Sequence, residues 1–138
     1  MKLKEPKYKY TNVMLIDDNE LDNFINEKTL EAYHFAKIIY TNTSAISALE
    51  FLSNMIAMGD QHKDAHPEVI FIDINMPGIN GFQFLEAILK MENSNMKKCK
   101  LAILTSSVHP SDQEKAKNIS KDIKFIIKPL TVAILNEM

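Results

Sequence analysis

The sequence predicts a doubly wound α/β domain, a five-stranded parallel sheet with helices on both faces. Three observations predict it. Short apolar runs recur along the chain, clearest at Val13 to Ile16, Val69 to Ile72, Leu101 to Leu104 and Ile123 to Ile127, and runs that short and that apolar read as strands buried on both faces. Between them lie segments whose apolar residues recur at helical spacing. Several runs also end on chemistry: an acid pair, a single acid, hydroxyls and a lysine. Strands alternating with helices build a parallel sheet through right-handed crossovers, and open sheets of this class place their ligand sites at the strand ends.

The first strand, Val13 to Ile16, is closed by Asp17, Asp18 and Asn19. Asn19 can cap a helix in which Leu21, Phe24, Ile25 and Lys28 share a stripe with Ala32 and Phe35, the face expected to pack on the sheet. Lys37 to Tyr40 reads as the second strand, and Thr43 or Ser44 as the cap of a helix carrying Ala45, Ala48, Leu49 and Leu52. Ala57 to Pro67 is a polar loop.

The stretch Glu68 to Gly81, EVIFIDINMPGING, is the centre of the chain. Its strand ends on Asp73 and is followed by a Pro77-Gly78 turn. Asn80 can cap the third helix, with Phe82, Leu85, Ile88 and Leu89 inward and Lys97, Lys98 and Lys100 closing it, where cations suit the helix dipole. The fourth strand ends on Thr105, Ser106 and Ser107. Pro110 then opens a helix through about Ile119 that has few apolar residues. The fifth strand ends in Lys128-Pro129, and Thr131 can cap a short last helix. In the flavodoxin-like strand order 2-1-3-4-5 the ends of strands one and three are neighbours.

With 138 residues and 46% hydrophobic content, the chain reads as a single domain over 11–138 behind a basic N-terminal arm over 1–10. A formal charge of −2 gives no field that would draw it to nucleic acid or membrane. One cysteine, Cys99, and a start without a signal peptide's apolar core fit a cytoplasmic protein. No apolar stretch approaches the length of a membrane span. His62, Asp64 and His66 are expected to be solvated loop residues, since no further metal ligand accompanies them.

The predicted topology gathers Asp17 and Asp18, Asp73, Thr105 and Lys128 at neighbouring strand ends. Converging carboxylates repel and raise one another's pKa unless a cation holds them. Oxygen-only ligands favour a hard ion, and a site that must also admit phosphate suits Mg²⁺. A carboxylate can attack phosphorus to give an acyl phosphate when metal and cation neutralise the transferring oxygens. Asp73 is the best-placed nucleophile, because the other two acids adjoin each other. Thr105 and Lys128 would donate to the new phosphoryl oxygens. At roughly 1.5–3 kcal/mol for each charge-assisted bond, the two together approach the ~5.5 kcal/mol that swings an equilibrium from about 1:99 to 99:1.

These residues resemble a known family. LIDDNE, IDINMPGINGF, ILTS and IIKPL are similar, in order, to the acidic pair, phosphoacceptor loop, switch hydroxyl and lysine-proline of the receiver domain of two-component response regulators, from Val13 to about Leu130. The resemblance implies phosphorylation of Asp73 by a histidine kinase or histidine phosphotransfer protein. It implies Mg²⁺ on Asp17 or Asp18, Asp73 and the backbone carbonyl of Asn75, transmission through Thr105 and Phe125, and a cis Lys128-Pro129 bond. Output would be contact with a downstream protein, by a monomer or weak homodimer. Asn75 and Ser107 would tune the lifetime of the phosphorylated form. Three departures stand out: Ser106 follows Thr105 where relatives carry a smaller residue, Phe125 replaces a common tyrosine, and the last helix is short.

Other function classes fit less well. A Mg²⁺-dependent phosphohydrolase would want an acid two residues after the nucleophile, where Asn75 stands. A flavin or nucleotide binder would want a glycine-rich loop after strand one, where two aspartates repel phosphate. An unphosphorylated scaffold would have little reason to keep every site residue.

Overall fold

A computed structural model of the chain describes residues 6–138. Twelve elements follow in order: β1 (Tyr10–Ile16), α1 (Glu20–Ala32), β2 (Ala36–Asn42), α2 (Ala45–Ala57), a 3-10 turn (Asp60–Ala65), β3 (Val69–Ile72), α3 (Gly81–Leu89), α4 (Ser94–Lys98), β4 (Lys100–Thr105), α5 (Pro110–Ile119), β5 (Lys124–Ile127) and α6 (Val132–Asn136). The strands form one parallel sheet in the order β2-β1-β3-β4-β5, as predicted.

Period-two alternation lets each central strand feed two cores. Met14, Ile16, Ile70, Ile72 and Ile103 face α2, α3 and α5 through Leu52, Phe84, Leu85 and Ala116. Val13, Leu15, Val69, Phe71 and Leu104 face the other way, onto Leu30 of α1 and Leu135 of α6. Side chains close the helix starts. Asn19, Ser44, Asn80 and Thr131 accept from backbone N–H groups three residues on, and at Asn80 the Gln83 side chain returns the bond. Pro110 sits in the first turn of α5, where its missing N–H costs nothing.

The structure corrects several expectations. The stripe read on α1 faces solvent: Leu21, Phe24 and Ile25 are 65%, 56% and 49% exposed, while Asn23, Asn26 and Leu30 are buried. At about 100° per residue the two sets lie on opposite sides of the helix. Asn23 sets this rotation. Its buried amide donates to the carbonyls of Asp17 (3.0 Å) and Asn42 (3.1 Å), bonding two strand ends to the helix. Polar burial that satisfies backbone groups has overridden the hydrophobic pattern.

The third helix does not run on to the lysines. It stops at Leu89, which is exposed, and buries Phe84 instead. Asn93 then accepts from the N–H groups of Asn95 and Met96 to start the separate helix α4, which Lys97 and Lys98 close. The polar loop before β3 contains the 3-10 turn, and His66 at its end is buried rather than solvated. The arm read over 1–10 falls partly on residues 1–5, outside the described residues; Tyr10 belongs to β1, and the Lys9 and Tyr10 N–H groups donate to the carbonyls of His34 and Phe35. Among the described residues, no helix is long and apolar enough to cross a membrane.

Candidate functional site

The parallel registers pair Ile16 with Ile72, Ile72 with Ile103, and Thr105 with Ile127. The residues after these strands therefore emerge side by side. Backbone bonds extend the ladder past the strand ends: the Asp17 N–H donates to Asn42 O at 3.1 Å, Asp73 to Ile16 O at 3.0 Å and Lys128 to Thr105 O at 2.8 Å. This fixes the site's backbone before any side chain contributes.

Asp17 and Asp73 are buried and Asp18 is exposed, and one carboxylate oxygen from each lies within 4.8 Å of the others. Asp17 Oδ1 accepts from the Asn19 N–H at 2.9 Å, and Asp73 Oδ1 from the Asn75 N–H at 3.4 Å. Three converging carboxylates with no sulfur or imidazole among them make a donor set that fits a hard divalent cation such as Mg²⁺. Lys128 supplies positive charge beside it. Its Nζ lies 2.7 Å from Asp17 Oδ2, 3.0 Å from Asp22 Oδ2 and 3.6 Å from Asp73 Oδ2. Burial alone would lower the Lys128 pKa, but hydrogen bonds to Asp17 and Asp22 and the charges of Asp73 and Asp17 outweigh it and hold the ammonium above its ordinary value.

The peptide bond after Lys128 is cis, as the resemblance implied. Thr105, at the end of β4, is fully buried and accepts from the Ser107 N–H at 3.2 Å, whereas Ser106 is exposed. The alternation of the strand thus separates the two hydroxyls. Ser107 Oγ donates to Asp112 in the first turn of α5, tying that loop to the helix. Phe125 stands opposite Ile103 on β5, half-buried against the core beneath α2, α3 and α5, and does not join the acid cluster.

Two contributors escape a reading of the motifs. Asp22 reaches Lys128 from the first turn of α1, where an acid ordinarily signals only the helix dipole. Its side chain is 38% exposed, so this pair carries only about 0.2–1 kcal/mol, in contrast with the buried bond to Asp17. The other is Gly81. A Cβ there would lie 2.5 Å from the Asp73 carbonyl oxygen and 2.7 Å from Ile74 Cα. Its signal in the sequence was visible only as a glycine at the start of a helix.

The comparisons with known proteins agree with this geometry. The model of the response regulator receiver domain matches residues 13–138. The two-component response regulator ARR16 of Arabidopsis thaliana is 30% identical over 135 residues, spanning 92% of this chain and 77% of that protein. The hybrid signal transduction histidine kinase A of Dictyostelium discoideum is 29% identical over 136 residues, which are 98% of this chain but only 6% of the kinase. A crystal structure of a two-component response regulator from Cytophaga hutchinsonii superposes with a TM-score of 0.79 at 34% identity, covering 92% of each chain. The chain belongs to the response regulator receiver domain family and has that family's phosphoacceptor signalling role.

Proposed function

We propose that the phosphoryl group is taken on Asp73, with Mg²⁺ held by Asp17, Asp18, Asp73 and the carbonyl of Asn75. The observation that carries this reading is the position of Asp73. It is buried at the end of β3, within reach of two further acids and 3.6 Å from a lysine. When bound, Mg²⁺ supplies charge neutralisation between the carboxylates and the incoming phosphoryl oxygens. An Asp73 carboxylate oxygen forms the new bond to phosphorus as the bond to the donor's imidazole nitrogen breaks, and the electron pair leaves with the imidazole. Lys128 and Thr105 then donate to the phosphoryl oxygens. Turnover beyond slow self-dephosphorylation is not built in, because Asn75 two residues on offers no general acid.

Intact mass after incubation with acetyl phosphate tests this. A gain of one phosphoryl group is expected in Mg²⁺ and none in EDTA, and hydroxylamine is expected to strip the adduct as it does an acyl phosphate. A hydroxylamine-resistant or EDTA-resistant adduct overturns the reading.

The donor is read as a cytoplasmic histidine kinase or histidine phosphotransfer protein, meeting the outward apolar face of α1. Leu21, Phe24 and Ile25 lie beside the site, on the helix that carries Asp22, with Lys28 over the Phe24 ring at 5.4 Å. Exposed apolar clusters rimmed by charge mark protein contacts. Phe24→Asp is expected to slow transfer from a phosphorylated phosphotransfer protein by about tenfold or more, the scale of an interface anchor, with labelling by acetyl phosphate unchanged. Equal loss with both donors would place the defect in the site instead.

A further inference from the structure

We propose that Asp22 is a latch for Lys128, a positioning residue that holds the ammonium toward α1 and away from Asp73 until the phosphoryl group arrives. The inference rests on the phosphoacceptor reading above and deepens it.

The distances rank the partners. Lys128 gives hydrogen bonds to Asp17 at 2.7 Å and Asp22 at 3.0 Å, while Asp73 stands at 3.6 Å, an ion-pair distance without a hydrogen bond. The nucleophile's oxygen therefore receives the weakest of the three contacts. Asp22 is aimed at Lys128 by the structure around it. The Asn23 amide clamps α1 onto the carbonyls of Asp17 and Asn42, and Asn19 accepts the Asp22 N–H, so the first turn of α1 cannot rotate freely.

The division of partners has a chemical consequence. Asp17 is also a candidate metal ligand, so a divalent cation and Lys128 compete for it. Asp22 lies outside the three-carboxylate group and competes with the phosphoryl oxygens alone. Bonding Lys128 to the phosphoryl group draws on the same ammonium that Asp22 holds, and the cost of releasing it falls on the phosphorylated state. Because the Asp22 carboxylate is partly exposed, the latch is weak enough to open.

The probe is beryllofluoride, a phosphoryl mimic, titrated at saturating Mg²⁺ into wild type and Asp22→Asn. Asp22→Asn is expected to bind it about 3- to 5-fold more tightly, the range of a partly exposed ion pair. In a Lys128→Met background the same substitution is expected to have no effect, because the latch acts only through that ammonium. The Lys128 Nζ resonance in ¹⁵N NMR of the metal-free protein is expected to shift in Asp22→Asn and return in Asp22→Glu.

An equal gain with and without Lys128 would make Asp22 a general repulsive charge and overturn the latch. Unchanged affinity with an unchanged Nζ resonance would leave Asp22 only a helix-terminal acid and overturn it too. Wild type that binds no beryllofluoride overturns the phosphoacceptor reading and the latch with it. Wild-type binding that Asp22→Asn leaves alone overturns the latch only.

Discussion

Asp73→Asn is expected to take up no phosphoryl group from acetyl phosphate while remaining folded. The amide keeps an oxygen where Asp73 Oδ1 accepts from the Asn75 N–H, so the turn after β3 keeps its bond. What it loses is the anionic nucleophile. Lys128 stays held by Asp17 and Asp22, so no buried ammonium is stranded, the situation that makes breaking a buried pair cost about 3–5 kcal/mol. Removing one of three crowded carboxylates also relieves repulsion. The metal-free variant is therefore expected to melt at or a few degrees above wild type, on the order of the shift produced by 1 kcal/mol in a domain of this size. Mg²⁺ affinity, measured by calorimetry, is expected to fall because the ligand set shrinks from three acids to two. An adduct of undiminished stoichiometry in Asp73→Asn would move the nucleophile to Asp17 or Asp18.

What was legible in the sequence was whatever a strand end imposes. A four-residue strand such as Val69 to Ile72 leaves no freedom about where Asp73 emerges, and the parallel order then sets Asp17 and Thr105 on the flanking strand ends, while the long Lys128 side chain reaches in from β5, one strand further out. The helices were less legible, because their orientation is decided by partners that periodicity does not see. On α1 an amide bonding two carbonyls outweighed three apolar side chains, so the face expected inside is the face in water. Asp22 was hidden by the same error. With Leu21 and Ile25 turned inward, Asp22 would point elsewhere, and its contact with Lys128 exists only because Asn23 reverses the helix. The break between α3 and α4 turned on the Asn93 side chain, a local cap inside an otherwise continuous helical pattern.

Gly81→Ala is expected to damage the fold and the site together, an outcome that follows from backbone contact rather than from glycine's flexibility. Gly81 opens α3, and its N–H donates to Ile74 O at 3.2 Å, drawing the helix start against the segment that follows β3. A methyl group would meet the Asp73 carbonyl oxygen at 2.5 Å, Ile74 Cα at 2.7 Å and the Asp73 carbonyl carbon at 3.0 Å. None of these is the free end of a side chain that could swing away. Either α3 withdraws, pulling Phe82, Phe84 and Leu85 from the core, or the Asp73 backbone moves. Overpacking of this kind costs about 1–3 kcal/mol and occasionally more, and with rigid backbone on the far side the upper end is expected, read as a lowered urea midpoint at unchanged slope. Gly78→Ala is the control. Its φ of 77° makes a side chain strained, yet the nearest atom is Ile46 Cδ1 at 3.9 Å, so the expected cost is about 1–2 kcal/mol with labelling of Asp73 intact. Since Gly81 touches the nucleophile's own carbonyl, Gly81→Ala is expected to lose labelling at denaturant concentrations where it is still folded. Full labelling by a destabilised Gly81→Ala would mean that α3 yields and the Asp73 backbone does not, which would make the strand end, rather than the helix behind it, the stiffer part of the site.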